Sequence, residues 1–486
     1  MAPKISALGI VALLSLRVSA QCSSGSDSKA VDLSWHAPNK TNINDLSQVV
    51  NGTGIYGFIF NTSTTPATSG YRTYNWCNMP HVRKQEYVVP PEEYKLEYVE
   101  LIHRHHKRTP YASNTFPHET YAWYCDDEAL FYYGTPNPDG HAAQVNWQVY
   151  TSDSNPLAPE GFNGTCQFPQ ITAGGLNDSR QHGKDLFGVY HDLLGFLPAK
   201  YDADKIRYRV TNNVITSQVA GQIVLGQYAD QFTDRPVSVA IQPDSVDSLE
   251  PGYTCTNASK TFSSYGVGSK TANWTLHLNE SVALFAKLDS VSGVNTSDPD
   301  WHNWFDHYFD SLSARLCHDK PLPCQADNSS NCVTQTDADA VFRRGQYEYS
   351  FIYRDSPESL AASTASYGIW MAELASNLRA ATDNSTNKSP VLYRHNVAHD
   401  GSMSRLLSIL QVDVMVWPGM GSEVVFELYS RDGCYFLRVL WGGQVLRSSN
   451  PSLGLMDLIP VQTFLDYVDG LVGVKAAKVP GLCKRK

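Results

Sequence analysis

The distribution of apolar residues in the first half of the chain predicts alternating strands and helices. Residues 98–102 form a mostly apolar run, residues 205–210 alternate apolar and charged side chains, and residues 237–241 form another short apolar run, so we expect three strands. In the intervals between these strands, residues 172–194 and 214–228 carry apolar residues at helical spacing. This alternation favours an α/β fold with a mainly parallel sheet flanked by helices.

The pattern becomes helical between residues 256 and 387, which predicts a helical cap subdomain inserted into the sheet domain. Residues 298–310 mix acids and histidines with aromatic residues, and a metal site is conceivable there. The apolar residues form a helical stripe, however, so an amphipathic helix with solvated acids explains the segment better. The members of this stripe are Trp301, Trp304, Phe305, Tyr308 and Leu312.

Sheet texture returns near the end of the chain, where residues 390–394, 424–428 and 436–441 are predicted strands and Gly442-Gly443 suits a hairpin turn. The chain therefore divides into five predicted parts. They are a signal peptide (1–20), an N-terminal extension (21–90), a first part of the α/β core (91–255), the helical cap (256–387) and a second part of the core (388–486).

Three features of the composition indicate an exported protein. Residues 1–20 combine a weakly basic start, a short apolar stretch and small residues before Gln21, as in a secretory signal peptide. Ten cysteines without a C-x-x-C pair favour disulfides, and twelve N-x-S/T sequons predict N-glycans on the surface. We expect a secreted, extracellular protein. The cell wall and the vacuolar lumen are alternative locations.

The charge narrows the range of partners. A net charge of −10 weighs against a nucleic-acid-binding protein, and no segment is long and apolar enough to predict a membrane span. Residues 103–108 are a local basic exception that could draw an anionic small molecule to one place. The sequence leaves the oligomeric state open.

The basic segment carries the candidate chemistry. Arg104 and Arg108 flank His105; guanidinium groups grip phosphate oxygens, and an imidazole can attack phosphorus. Arg209 ends a predicted strand, and His399-Asp400 follow another. Because ligands of open α/β sheets bind outside the carboxyl ends of the strands, these six residues are predicted to meet in one pocket.

These residues resemble the motifs of a known family. The histidine acid phosphatases, which form branch 2 of the histidine phosphatases, carry R-H-G-x-R-x-P near their start and H-D near their end. The corresponding residues here are Arg104-His105-His106-Lys107-Arg108-Thr109-Pro110 and His399-Asp400. The chain is most similar to the secreted fungal acid phosphatases and phytases, which implies a phosphoglycerate mutase-like sheet.

The resemblance also implies roles for the residues. His105 would form a covalent phosphohistidine, and Asp400 would protonate the leaving group. The residues that would hold the phosphoryl oxygens are Arg104, Arg108, Arg209 and His399. No metal ion or other cofactor is implied, because the guanidinium groups already supply positive charge.

Two positions depart from the family pattern. His106 stands where the family has glycine, and Ile215 stands where a second arginine is frequent. We interpret His106 as a possible change in substrate access, and both His106 and Lys107 as possible substrate contacts.

The leading hypothesis is a secreted acid phosphatase that hydrolyses phosphate monoesters. A narrower alternative is a phytase, whose highly charged substrate would need further basic residues around the pocket. A third is a non-catalytic protein of the same fold that only binds anions. The motifs of other hydrolase classes, such as G-x-S-x-G and H-E-x-x-H, do not occur in the chain.

Overall fold

The computed structural model describes residues 30–57, 76–118, 122–125, 154, 164–228, 237–383 and 389–484. The predicted signal peptide lies outside the described residues. The strands are β1 (Lys95–Arg104), β2 (Ile206–Val210), β3 (Val239–Ala240), β4 (Cys324–Gln325), β5 (Asn328–Cys332), β6 (Tyr393–Ala398), β7 (Glu423–Arg431), β8 (Cys434–Trp441), β9 (Gln444–Val445) and β10 (Ile459–Pro460).

Helices cover both faces of the main sheet and fill the segment between β3 and β6. They are α1 (Leu46–Asn51), α2 (Ala173–Phe187), α3 (Val214–Tyr228), α4 (Thr256–Tyr265), α5 (Ala272–Asn279), α6 (Val282–Ser292), α7 (Pro299–His302), α8 (Asp306–Cys317), α9 (Gln335–Ser350), α10 (Pro357–Thr382), α11 (Asp400–Ile409), α12 (Val461–Val472) and α13 (Val479–Cys483).

Strand β1 lies at the centre of a sheet with the order β10-β8-β7-β1-β6-β2-β3, and β9 pairs with β8. The strands β1, β6, β2 and β3 are parallel neighbours, whereas β7, β8, β9 and β10 pair in antiparallel fashion. The predicted α/β class is confirmed, and the sheet is mixed, with its antiparallel strands on one side of β1.

The side chains of β1 alternate between two cores. Tyr98 and Ile102 pack with α10, α11 and α12 on one face, and Val99 and Leu101 pack with α2 and α3 on the other. A strand that is covered on both faces needs apolar residues at successive positions. This explains the unbroken apolar character that identified the strand in the sequence.

Helices α2 and α3 approach each other backbone to backbone at two glycines. A Cβ atom added to Gly183 would lie 2.3 Å from the carbonyl oxygen of Ile223, and one added to Gly226 would lie 2.2 Å from that of Arg180. The two glycines therefore allow a close contact that any larger residue would prevent. The prediction of both helices is confirmed, and α2 continues into a π-helical turn, Gly188–Leu193.

The helices α6, α8 and α9 build a core of their own, which includes Trp301, Phe305, Tyr308 and Leu312 of the predicted stripe. Helix α10 packs instead on the sheet, in the core that contains β1 and β7. The predicted cap of residues 256–387 thus includes one helix that covers the sheet. The division of the chain at these boundaries stays a prediction.

The last strands agree with the prediction in part. Strands β7 and β8 and the turn at Gly442-Gly443, with φ of 58° and 81°, are confirmed. The strand predicted at residues 390–394 is wrong at both ends, since β6 is Tyr393–Ala398. Its polar residues His395 and Asn396 are buried because Tyr393 and the backbone of Leu101 satisfy them by hydrogen bonds.

The described parts of the N-terminal extension lie against the core. Trp35 donates a hydrogen bond to the carbonyl oxygen of Arg354, and Asn450 donates one to that of Asp32. The disulfides with both partners described are Cys77–Cys317, Cys125–Cys166, Cys255–Cys483 and Cys324–Cys332, and no described cysteine is free. Among the described helices, none combines the length and the hydropathy that crossing a bilayer requires.

Candidate active site

A cleft of about 330 Å³ opens at the carboxyl ends of β1 and β6. Five of the six residues that the sequence predicted to converge line it: Arg104, His105, Arg108, His399 and Asp400. They meet because β1 and β6 are adjacent and parallel, with Arg104 paired to Ala398. The residues that follow each strand therefore emerge side by side.

His105 follows the last residue of β1 and is 1% exposed. Its Nδ1 lies 2.9 Å from the carbonyl oxygen of His106, which can only accept a hydrogen bond, so Nδ1 carries the proton. Burial, together with the charges of Arg104 and Arg108, holds the pKa of His105 far below its ordinary value. The ring is therefore neutral, with a lone pair on Nε2.

Arg104 and Arg108 are both buried, and neighbouring groups hold each guanidinium in place. Arg104 donates from Nη1 to the carbonyl oxygen of Pro418 at 2.7 Å, and its Nη2 lies 3.0 Å from Asp400. Arg108 donates from Nη1 to Asp310 and stacks over Tyr111 with its Cζ 4.2 Å from the ring centre. Among the described residues, the buried Nε of neither arginine has a hydrogen-bond partner. Both arginines line the cleft and bring positive charge to it.

Asp400 begins α11. Its Oδ2 accepts a hydrogen bond of 2.9 Å from the indole Nε1 of Trp417 and lies 3.0 Å from Arg104. Burial alone would favour the protonated acid, but Arg104, the Trp417 hydrogen bond and Arg108 outweigh it and lower the pKa of Asp400. In the ligand-free cleft this carboxyl group is ionised.

His399 precedes Asp400 and lies 5.4 Å from His105 between ring centres. Its Nε2 lies 2.8 Å from the hydroxyl oxygen of Thr211 and 3.5 Å from a carboxyl oxygen of Glu250. Burial, only partly offset by Asp400, lowers the pKa of His399 to about 4. Burial and the neighbouring acids Asp247 and Asp244 raise the pKa of Glu250 to about 7.

Arg209 is not among the residues that line the cleft, and its role in holding phosphate stays a prediction. It contacts Asp247 at 3.1 Å and Glu373 at 2.8 Å, away from the lining residues. Arg209 in β2 pairs with Asn396 in β6, and Asn396 comes three residues before His399 in the chain. Arg209 therefore lies level with Asn396 and not with His399. Thr211, two residues further along, is the residue that contacts His399.

His106 and Lys107 are not among the residues that line the cleft, and their contact with substrate stays a prediction. The ring of His106 is fully buried and points toward His182 on the α2 side of the sheet, with Nε2 3.2 Å from its Nδ1. Lys107 forms an ion pair of 3.0 Å with Asp178 on α2. Of residues 104–108, only Arg104, His105 and Arg108 line the cleft.

The remaining lining residues give the cleft acidic and aromatic walls. Carboxyl groups come from Glu250, Asp306 and Asp310. Besides Arg104 and Arg108, Arg405 is the only arginine or lysine among the described lining residues. Aromatic side chains cover much of the rest; they are Tyr111, Trp304, Tyr349 and Trp417.

The family model of the histidine phosphatase superfamily (branch 2) matches residues 95–441, which include every residue of the cleft. The chain belongs to this family. The membership confirms the family predicted from the two motifs, and with it the prediction of a phosphoric monoester hydrolase of the histidine acid phosphatase type.

Comparison with individual proteins agrees with this membership. Counting factor 60 of Dictyostelium discoideum is 25% identical over 362 residues, which cover 72% of this chain and 80% of that protein. A probable acid phosphatase of the same organism is 26% identical over 168 residues, 33% of this chain and 30% of that protein. Among solved structures, a Hafnia alvei phytase in complex with tartrate superimposes with a TM-score of 0.51 at 12% identity, over 80% of this chain and 99% of that one, and shows the same fold.

Several residues of this histidine phosphatase cleft carry no signal in the sequence. Asp310 was predicted to be a solvated acid of an amphipathic helix, which is wrong. It is buried because Arg108, Asn114 and the backbone of Tyr111 all bond to it. Trp417, Glu250 and Arg405 come from loops or helices that only the tertiary fold brings to β1.

Proposed function

We propose that the protein hydrolyses phosphate monoesters through a phosphohistidine formed on His105. Family membership supports phosphatase activity, and one observation supports the mechanism. His105 has its Nδ1 fixed by the carbonyl oxygen of His106, and Arg104 and Arg108 line the cleft beside it. A neutral imidazole nucleophile next to two guanidinium groups is suited to a bound phosphoryl group.

In the first step, Nε2 of His105 attacks phosphorus. A P–N bond forms while the bond between phosphorus and the ester oxygen breaks. The developing charge on the phosphoryl oxygens is stabilised by the guanidinium groups of Arg104 and Arg108, which line the cleft beside His105. His399, on the far side of His105, is the remaining histidine of the cleft that can donate to a phosphoryl oxygen.

Asp400 is the acid that protonates the leaving oxygen. Its pKa is low in the ligand-free cleft because Arg104 and Arg108 stabilise its charge. A phosphoryl dianion bound to the same arginines cancels that charge and raises the pKa of Asp400, so substrate binding itself favours the protonated acid. After transfer of its proton, the carboxylate of Asp400 accepts a proton from water.

In the second step, that water attacks phosphorus and the P–N bond breaks. The products are inorganic phosphate and neutral His105, and Asp400 regains its proton. Every group in this cycle is a side chain that lines the described cleft.

The walls favour esters with a single phosphate over phytate. Asp306 and, above about pH 7, Glu250 would repel the additional phosphates of a highly phosphorylated ring, and Arg405 alone among the further described lining residues would attract them. The aromatic walls suit an apolar or aromatic leaving group. We expect higher kcat/KM for a simple aryl or alkyl monoester than for phytate.

Secretion and glycosylation are part of the proposal. Among the sequons within the described residues, every asparagine is exposed, as glycan attachment requires: Asn39, Asn51, Asn177, Asn257, Asn273, Asn279, Asn295 and Asn328. The disulfides are consistent with an oxidising compartment.

Trapping the intermediate tests the mechanism. The purified chain is mixed with a radiolabelled phosphate monoester, quenched in base within milliseconds and digested, and the labelled peptide is identified by mass spectrometry. We expect an acid-labile, base-stable label on His105, absent in His105→Ala. His36→Ala, which changes a surface histidine paired with Asp32, serves as the matched control and should keep the label.

Two results would contradict the proposal. Turnover by wild type with the label on another residue, or undiminished turnover by His105→Ala, would exclude a phosphohistidine at this position. No turnover of any monoester by folded wild type that still binds inorganic phosphate would instead support the non-catalytic anion-binding alternative.

A further inference from the structure

Behind the nucleophile loop lies a group of buried histidines that phosphoryl transfer does not use. His103 on β1, His106 in the loop and His182 on α2, here called the histidine cluster, are each 0% exposed. One ring nitrogen from each lies within 4.8 Å of those of the other two. The cluster occupies the α2 side of the sheet, whereas Arg104 and His105 face the cleft.

Hydrogen bonds fix the tautomers of two of these rings. Nδ1 of His103 lies 2.8 Å from the carbonyl oxygen of Arg104, and Nε2 of His182 lies 2.9 Å from the buried carboxyl group of Glu423. The carbonyl oxygen requires a proton on Nδ1 of His103, and the ionised form of Glu423 requires one on Nε2 of His182. The other nitrogens, Nε2 of His103 and Nδ1 of His182, are therefore lone pairs. Metal-binding histidines have this arrangement. One ring nitrogen donates a hydrogen bond to a neighbouring acceptor, and the other carries the lone pair that binds the metal.

The third ring faces the second. Nε2 of His106 lies 3.2 Å from Nδ1 of His182, and a metal ion between these rings would accept a lone pair from each of the two nitrogens. A fourth imidazole adjoins the cluster, because Nε2 of His395 lies 2.8 Å from Nε2 of His103. Such a set of converging imidazoles is costly to bury without a compensating interaction.

We propose that the histidine cluster binds one divalent transition-metal ion, for which Zn²⁺ is the test ion. Imidazole is a preferred zinc ligand, and Zn–N bonds of about 2.0–2.1 Å place the nitrogens of a tetrahedral site roughly 3.3 Å apart. The separation of 3.2 Å between His106 and His182 matches that spacing. His395 is placed to supply the fourth ligand, and the carboxylate of Glu423 lies next to the site to balance its charge.

The ion would act as a structural clamp. It joins the end of β1, the loop after His105 and helix α2, and so fixes the backbone on both sides of Arg104 and His105. It would take no part in phosphoryl transfer, since the cleft lies on the other side of β1. The proposal therefore stands independently of the assignment of the nucleophile.

The test measures zinc in the full-length chain. Wild type is incubated with excess Zn²⁺, dialysed against metal-free buffer and analysed by inductively coupled plasma mass spectrometry. We expect about one zinc per chain in wild type and an at least tenfold loss in His106→Gln and His182→Gln. The matched control is His277→Gln, because His277 is equally buried and pairs with Glu348 as His182 pairs with Glu423; it should keep the zinc.

A spectroscopic measurement on wild type covers the case in which the variants do not fold. Cobalt-substituted protein should show the visible absorption of a tetrahedral site, and X-ray absorption of the zinc form should show three or four imidazole nitrogens at about 2.0–2.1 Å. Less than a tenth of a zinc per folded wild-type chain, full zinc retention in folded His182→Gln, or a metal signal without imidazole ligands would each overturn the proposal.

Discussion

The carboxyl group of Asp310 lies 3.1 Å from the guanidinium of Arg108, and both side chains are buried. The same carboxyl group accepts hydrogen bonds from Asn114 and from the backbone of Tyr111. Asp310 therefore belongs to a fixed scaffold and holds Nη1 of Arg108. The orientation of this proposed phosphate-binding arginine thus depends on an acid from helix α8, 202 residues away in the chain.

Asp310→Asn should weaken phosphate binding more than it affects the fold. Asparagine can keep most of the hydrogen bonds but loses the charge that orients Arg108, so we expect a roughly tenfold rise in KM and in the Ki of inorganic phosphate, equivalent to ~1.4 kcal/mol. Steady-state kinetics with nitrophenyl phosphate measures both constants. Asp306→Asn is the control, because Asp306 lines the same cleft and pairs with His307 instead of an arginine. Equal effects of the two substitutions would assign the change to cleft charge alone.

Asp400→Asn should slow the reaction in a manner that depends on the leaving group. Asparagine can accept the hydrogen bonds from Trp417 and Arg104 but cannot donate a proton to the ester oxygen. We expect kcat to fall by roughly 10²–10⁴-fold for an alkyl phosphate, and much less for nitrophenyl phosphate, whose leaving group departs readily without protonation. Single-turnover rates for the two esters measure the difference. A uniform loss for both would show that Asp400 acts only by holding Arg104.

Glu250→Gln should change the alkaline side of the pH profile. The pKa of Glu250 is about 7, so wild type gains a negative charge at the cleft as the pH rises through that value. This charge repels the phosphate dianion, and kcat/KM should fall more steeply above pH 7 in wild type than in the variant. Parallel profiles from pH 5 to pH 9 with one substrate test this. Glu373→Gln, which changes an acid bound to Arg209 outside the cleft, should leave the profile unchanged.

His399 should make the fold less stable in acid. Its pKa is about 4 in the folded chain against an ordinary value of 6.5, because it is buried and near Arg104 and Arg108. Between these two values the unfolded chain binds a proton that the folded chain does not. The free energy of unfolding therefore falls by about 1.4 kcal/mol for each unit by which the pH drops from 6.5 to 4.

The variant His399→Gln isolates this contribution. Glutamine can keep a hydrogen bond to Thr211 but does not titrate, so the dependence of unfolding free energy on pH should be shallower by that amount. Urea unfolding of wild type and variant at half-unit steps of pH gives both slopes. Identical slopes would mean that His399 titrates normally in the folded chain.

The residues at the strand ends were predictable because they follow from local rules. An apolar run followed by Arg104-His105 and a second strand followed by His399-Asp400 require only that parallel strands place their carboxyl ends together. Arg209 was assigned to the cleft because it also ends a predicted strand. Its true position depends on the register of β2 against β6, which pairs it with Asn396. A shift of two residues along a strand decides whether a side chain reaches the site, and periodicity does not contain that information.

The walls of the cleft could not be predicted for a different reason. Asp310 has the sequence environment of a surface acid on an amphipathic helix, and only the docking of α8 beside Arg108 buries it. Glu250 and Trp417 lie in loops, and their positions are set by the packing of three separate cores. The fold class and the proposed nucleophile could be predicted from single segments of the sequence. The residues that surround the nucleophile come together only in the folded chain.

The contact between Trp417 and Asp400 makes the intrinsic fluorescence of Trp417 a reporter of the state of the cleft. The indole Nε1 donates a hydrogen bond of 2.9 Å to Asp400, and the ring stacks on Tyr349 with ring centres 4.0 Å apart. Its emission must respond when that carboxyl group changes charge or when a ligand displaces its partner. Comparing the fluorescence of wild type with that of Trp417→Phe would therefore follow occupancy of the cleft in real time, without a labelled substrate.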